Sequence, residues 1–263
     1  MSPGRFPLNL LVSTLAAVLL GNAGLVRAQT TVSDWASFKS ALAIGNVKSI
    51  TLAANLTATE TLTVSRNVTI SGNVTISGDG SFAGPYLEFK NPTGVNEQVI
   101  LSGVTFTGAT GGAVKVSGAG YVFFRSCVFT GNASTGSGGA VLVKGNVEFE
   151  SCSFTSNTAT AEGQGGGAVK VESGRTRINR CYFKGNQAAK NGGAVWQSAG
   201  TLYIHSSIFE ENTATEGGAL MMSGGEVVNC TIIKNQTFAS SPTAAGLKGT
   251  GVITVKNTLM ADN

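Results

Sequence analysis

A tetrapeptide returns along this chain from residue 111 onward: Gly111-Gly112-Ala113-Val114, Gly138-Gly139-Ala140-Val141, Gly166-Gly167-Ala168-Val169, Gly192-Gly193-Ala194-Val195 and Gly217-Gly218-Ala219-Leu220. Successive copies begin 27, 28, 26 and 25 residues apart, and a decayed copy, Ala244-Ala245-Gly246-Leu247, begins 27 residues later. A second motif keeps step with the first. It reads Cys127-Val-Phe129-Thr-Gly-Asn132 and recurs from Cys152, Cys181, Ser207, Cys230 and Thr258, each copy closing on an Asn. A coil of roughly 25 residues without helical periodicity cannot bury its apolar face alone, and stacking copies supplies the missing surface.

Two strand-like runs stand out in each period. Val141-Leu142-Val143 follows one Gly-Gly-Ala, and Val147-Glu148-Phe149-Glu150 alternates apolar and polar after a turn at Lys144-Gly145-Asn146. Positive φ and close approach of coils are expected at Gly-Gly-Ala. The Phe and Ile residues are expected to stack inside. The repeated Asn is expected to adopt left-handed geometry and to form a hydrogen-bonded ladder. Upstream, Trp35, Phe38 and Leu42 have helical spacing after a Ser33-Asp34 start signal. Ile50–Leu52, Leu62–Val64, Val68–Ile70 and Val74–Ile76 read as short strands with Thr outward. The expected fold is all-β: a single-stranded right-handed parallel β-helix with a short N-terminal capping helix. A leucine-rich repeat would need Leu-x-x-Leu-x-Leu, which is absent.

Residues 1–28 read as a secretory signal peptide. Arg5 supplies the basic start, Leu8–Leu20 the apolar stretch, and Val26-Arg27-Ala28 a cleavage site before Gln29. Residues 29–46 are then the helical cap and 47–263 the β-helix, whose last coil is expected to be incomplete. The formal charge of +4 falls to +2 without Arg5 and Arg27, and no Lys/Arg run occurs, so nucleic acid is not an expected partner. No transmembrane segment is expected in the mature chain, and the location is expected to be secreted, cell surface or cell envelope.

The pairing of Gly-Gly-Ala-Val/Leu with Phe-x-x-Asn resembles the repeats of chlamydial polymorphic outer membrane proteins and of other right-handed, pectin-lyase-like β-helix proteins. The resemblance covers roughly residues 100–263. It implies a secreted or surface-displayed passenger with a structural or adhesive role and no active site. The chain departs from the chlamydial proteins in showing no barrel sequence after the repeats.

The alternative reading is a polysaccharide lyase or hydrolase of the pectin-lyase-like superfamily. Such chemistry uses clustered carboxylates, yet the three Asp residues are Asp34, Asp79 and Asp262, none of them in the regular coils. Counting back four from the Cys position places Phe123, Glu148, Arg177, Tyr203 and Glu226 in one column. Counting back two gives Arg125, Glu150, Asn179, His205 and Val228. Glu148 should therefore neighbour Arg177, and Arg125 should neighbour Glu150, as charge ladders on an outer face. His205, the single His, is expected to be a solvated surface residue. No catalytic residue, cofactor or metal site is assigned.

The residue after each Gly-Gly-Ala-Val/Leu forms another outward column: Lys115, Leu142, Lys170, Trp196 and Met221. It is the expected binding platform for a glycan or a surface protein. Acceptor sequons occur at Asn55, Asn67, Asn73 and Asn235, with two more at Asn132 and Asn229. The last two are expected to be sterically closed. Cys127, Cys152, Cys181 and Cys230 share one column and are expected to be mostly free, buried thiols.

Overall fold

The computed structural model describes residues 28–90, 98–118, 120–162, 164–238 and 244–263. Parallel strands wind through them into a β-helix. Among the described residues they form sheets of ten, nine, eight and five strands, called here the first to the fourth. One coil shows the circuit. Val141–Lys144 lies in the third sheet, Asn146–Glu150 in the first, Ser153–Thr155 in the second, and the two-residue Thr158–Ala159 in the fourth. The Cys-x-Phe segment is thus a strand of its own, where the sequence reading had only two runs per coil. Its three residues are too few to show an alternating pattern.

Strand β1 (Ala28–Val32) precedes helix α1 (Trp35–Ala43), and β1 pairs in parallel with β2 (Val47–Leu52). Residues 29–46 are therefore strand and helix together. Asp34 caps α1: its carboxylate accepts from Ser37 N–H at 2.7 Å, and Ser37 Oγ accepts from Asp34 N–H at 3.3 Å. Trp35, Phe38 and Ala41 turn inward and cover the first coil. The signal-peptide reading falls on residues 1–27, outside the described residues, and on Ala28 of β1.

Two columns fill the interior. Phe106, Phe129, Phe154, Phe183 and Phe209 stack ring on ring with centroids 4.5 to 5.1 Å apart. Phe124 and Phe149 stack beside them at 5.1 Å, and Ile178 and Ile204 continue their column. Spacing near the interstrand distance lets identical rings meet face to face from coil to coil.

At the turn after each Phe, Asn132, Asn157, Asn186, Asn212 and Asn235 are buried. Each Nδ2 donates to the next Asn Oδ1, at 2.8 to 3.0 Å, ending on Asn263. Each also donates to a carbonyl one coil back, as Asn186 does to Phe154 at 2.9 Å. The left-handed residue is not the Asn but the one before it: Gly131, Ser156, Gly185, Glu211 and Lys234 have φ between 54° and 61°. That bend turns the Asn amide into the core, where a fixed partner on either side satisfies it. Glycine is required at Gly139, because a Cβ there would meet the Gly167 carbonyl of the next coil at 2.1 Å.

All four cysteines are free and buried. Two carbonyl oxygens lie within reach of the single S–H of each thiol, as Phe124 O and Glu150 O lie 3.4 and 3.5 Å from Cys152 Sγ.

Candidate functional site

Outward positions of a β-helix are the ones left for recognition, because the inward ones are consumed by the stack. In the third sheet, Lys115, Leu142, Lys170, Trp196 and Met221 stand opposite one another in consecutive coils, as the register count requires. Their exposure differs from the expected platform. Lys115 is held by Glu88 at 2.9 Å, in a cluster with Lys90. Burial opposes ionisation of Glu88, but hydrogen bonds and charge from Lys115 and Lys90 outweigh it and lower its pKa. Lys170 is only 2% exposed, lying between Leu142 and Trp196 with its ammonium over the indole ring. Burial pushes its pKa down to about 7, against a smaller upward pull from Glu172. Lys170 is thus internal to the column, and Lys115, Leu142, Trp196 and Met221 supply its partly exposed surface.

A groove of about 460 Å³ lies on the outer face of the first sheet. Glu148, Arg177, Tyr203 and Glu226 run along it in one column, and Asn179 and His205 run beside them. Each stands there by strand alternation: Phe149, Ile178, Ile204 and Val227 point inward, so their neighbours point out. Arg177 Nη1 is 3.8 Å from Glu148, and His205 Nε2 is 3.7 Å from Glu226. The His205 side chain is 45% exposed on the outer face, in line with a surface residue, while its Nε2 atom is covered and makes no hydrogen bond. Glu150 also departs from expectation. Its ion-pair partner is Arg180, at 3.1 Å, and it accepts from Asn179 at 2.7 Å. Arg125 lies over the Phe123 ring instead. The turn residue Arg180 reaches Glu150 because its φ of 52° brings it back over the sheet.

The sequons divide by exposure. Asn55 and Asn73 are exposed, and Asn67 is half-buried with its carbonyl accepting from Gln98 N–H at 2.7 Å. Asn235 is fully buried in the ladder, which closes it as an acceptor in the folded chain. Asn132 is closed in the same way, whereas Asn229 is an exposed turn residue with φ 54° and is open.

The family model of the right-handed β-helix region matches residues 89–259. The chain belongs to the right-handed β-helix family. No curated protein matches it. Two solved structures align at low identity. The L. reuteri 53608 SRRP shares 11% identity over 89% of this chain and 99% of its own, with a TM-score of 0.39. The L. reuteri 100-23 SRRP shares 14% over 88% and 98%, with a TM-score of 0.38. Among the described residues, no helix is long and apolar enough to cross a membrane. The columns were countable in the sequence. What counting could not supply was distance: Arg177–Glu148 and His205–Glu226 stay apart, while Glu150 finds a turn residue.

Proposed function

We propose that the protein is a secreted or cell-surface, non-catalytic β-helix with an adhesive role. The observation that carries this reading is the outward column of Leu142, Trp196 and Met221, large apolar side chains partly exposed within four consecutive strands of one sheet, with buried Lys170 between Leu142 and Trp196. Apolar groups of that size on a solvent face are a contact surface for a glycan or a surface protein. The leader-like residues 1–28 support export, and the repeats' likeness to chlamydial polymorphic outer membrane proteins supports surface display. The sequons at Asn55, Asn67 and Asn73 fit an exported chain carrying glycans.

Glu148 and Glu150 favour this reading over a lyase or hydrolase. Each faces an arginine, and Glu150 is further held by Asn179. A glycosidase pair needs two carboxyls free to face the scissile bond, whereas Glu150 is engaged by Arg180 and Asn179 and Glu148 lies beside Arg177. A solid-phase assay against a panel of immobilised glycans and extracellular-matrix proteins tests the proposal. Retention by at least one surface, reduced about tenfold or more by Trp196→Ala with an unchanged melting temperature, is the expected result. Equal retention of wild type and Trp196→Ala on every surface, or none by either, would overturn it.

A further inference from the structure

The outer face of the second sheet has a composition of its own. In the consecutive strands Thr75–Gly78, Thr105–Thr107, Val128–Thr130 and Ser153–Thr155, the side chains of Ile76, Phe106, Phe129 and Phe154 point inward, so the residues on either side of each point out. One outward row is Thr75, Thr105, Val128 and Ser153; the other is Ser77, Thr107, Thr130 and Thr155. All of them are partly exposed. Seven carry a hydroxyl, five of these carry the threonine methyl as well, and none is charged. The next two strands put Lys184 and Glu210 in the second row. The coil therefore does not demand a hydroxyl at this position, and strand propensity alone does not account for the run.

We propose that this face binds ice, its two rows of hydroxyls and methyls ordering water in the spacing of a crystal plane. The rows repeat along the helix axis at the interstrand distance, ~4.8 Å, and stand two residues apart across each strand, ~6.6 Å. These repeats lie close to the oxygen spacings of hexagonal ice along its a and c axes. A match over a plane also needs side chains that hold their positions. Thr and Val are stiff at χ1 because they branch at Cβ. Beneath them the Phe106, Phe129 and Phe154 rings stack with centroids 5.1 and 4.7 Å apart, which fixes the strands coil to coil. On the surface itself, Thr155 Oγ1 donates to Thr130 Oγ1 at 2.9 Å.

The chemistry of the rows selects the same occupant. A hydroxyl both donates to and accepts from water, and a methyl beside it leaves the neighbouring waters to bond one another. A lysine ammonium would instead keep a tight hydration shell of its own, which a lattice of neutral water cannot absorb. The uncharged rows thus complement an uncharged surface. A protein partner fits less well, because its energy comes from aromatic and Arg anchors at the centre of the contact, and these rows hold neither. The inference stands apart from the adhesive reading, whose Trp196 column lies on the third sheet.

Nanolitre osmometry and an ice-recrystallisation assay on the full chain, with serum albumin as the control protein, test the inference. The chain is expected to facet growing ice crystals, to open a gap between melting and freezing temperatures that albumin does not, and to keep ice grains small. Thr107→Lys and Thr130→Lys should each abolish all three effects with circular dichroism and melting temperature unchanged, since the same row carries Lys184 in a later coil. Trp196→Ala should leave the effects in place. Unfaceted crystals with grain growth equal to albumin's, or undiminished activity in both lysine variants, would overturn the inference. Retention on immobilised glycans or matrix proteins, or its loss in Trp196→Ala, bears on the adhesive reading alone.

Discussion

Lys170 holds its amine where a lysine ordinarily pays a desolvation penalty. Its side chain is 2% exposed between Leu142 and Trp196, and no carboxylate lies within 4 Å among the described residues. Its pKa is lowered by burial from 10.5 to about 7. Between those values the unfolded chain binds a proton at this site that the folded chain does not, so Lys170 makes stability rise with pH across that window. Below about pH 7 both states are protonated and the full cost of the buried ammonium is present. Lys170→Met should therefore raise the melting temperature at pH 6 to 7 and lose most of that advantage near pH 10, measured by thermal denaturation against wild type. Strand alternation marks Lys170 as outward, and outward normally means wet. The neighbours that cover it are residues 28 earlier and 26 later, which only the stacked register brings alongside. The cysteine column was more legible, because small apolar side chains in an inward column fit free thiols. Cys152 is held well above the usual thiol range by the Cys127 and Cys181 thiols on either side and by burial. A thiol reagent should find no reactive group in the folded chain and four after denaturation without a reductant.

The Asn turn is the element on which the coils depend most. Asn186 accepts from the backbone and side-chain amides of Asn157 and donates to Phe154 O and Asn212 Oδ1. Asn186→Ala leaves those buried partners without a complement, at a cost of about 3 kcal/mol. Chemical denaturation should show that loss, and a change under ~1 kcal/mol would mean that the ladder is incidental. Both the Asn column and the Phe stack beside it were legible from two motifs in lockstep, because a ladder needs the same residue in every coil. The bend that serves it was misplaced by one residue, since Gly131, Ser156, Gly185, Glu211 and Lys234 share a conformation but no side chain. The ion pairs show the same limit. Arg177 opposite Glu148 is a statement about strand register, and register was countable. Arg180 on Glu150 depends on the path of a turn, which no count of positions supplies.

At the scale of the whole molecule the chain is a shaft with a closed interior and sheet faces that differ from one another. Repetition accounts for the shaft, since each coil buries its apolar face only against the next. The faces hold what does not repeat: the Trp196 column on the third sheet and the groove from Glu148 to Glu226 on the first. Function was less legible than fold for that reason, because departures from a repeat are read from distances and exposure rather than from pattern. The central claim is recognition without turnover. It is tested most directly by incubating the full chain with glucosamine, galacturonate and alginate polymers, and measuring retained protein and released product in the same tubes. The account predicts no new reducing ends and no unsaturated product from any of them, whether or not the protein is retained. Product that accumulates with time and is lost in Glu148→Gln or Glu150→Gln would contradict it.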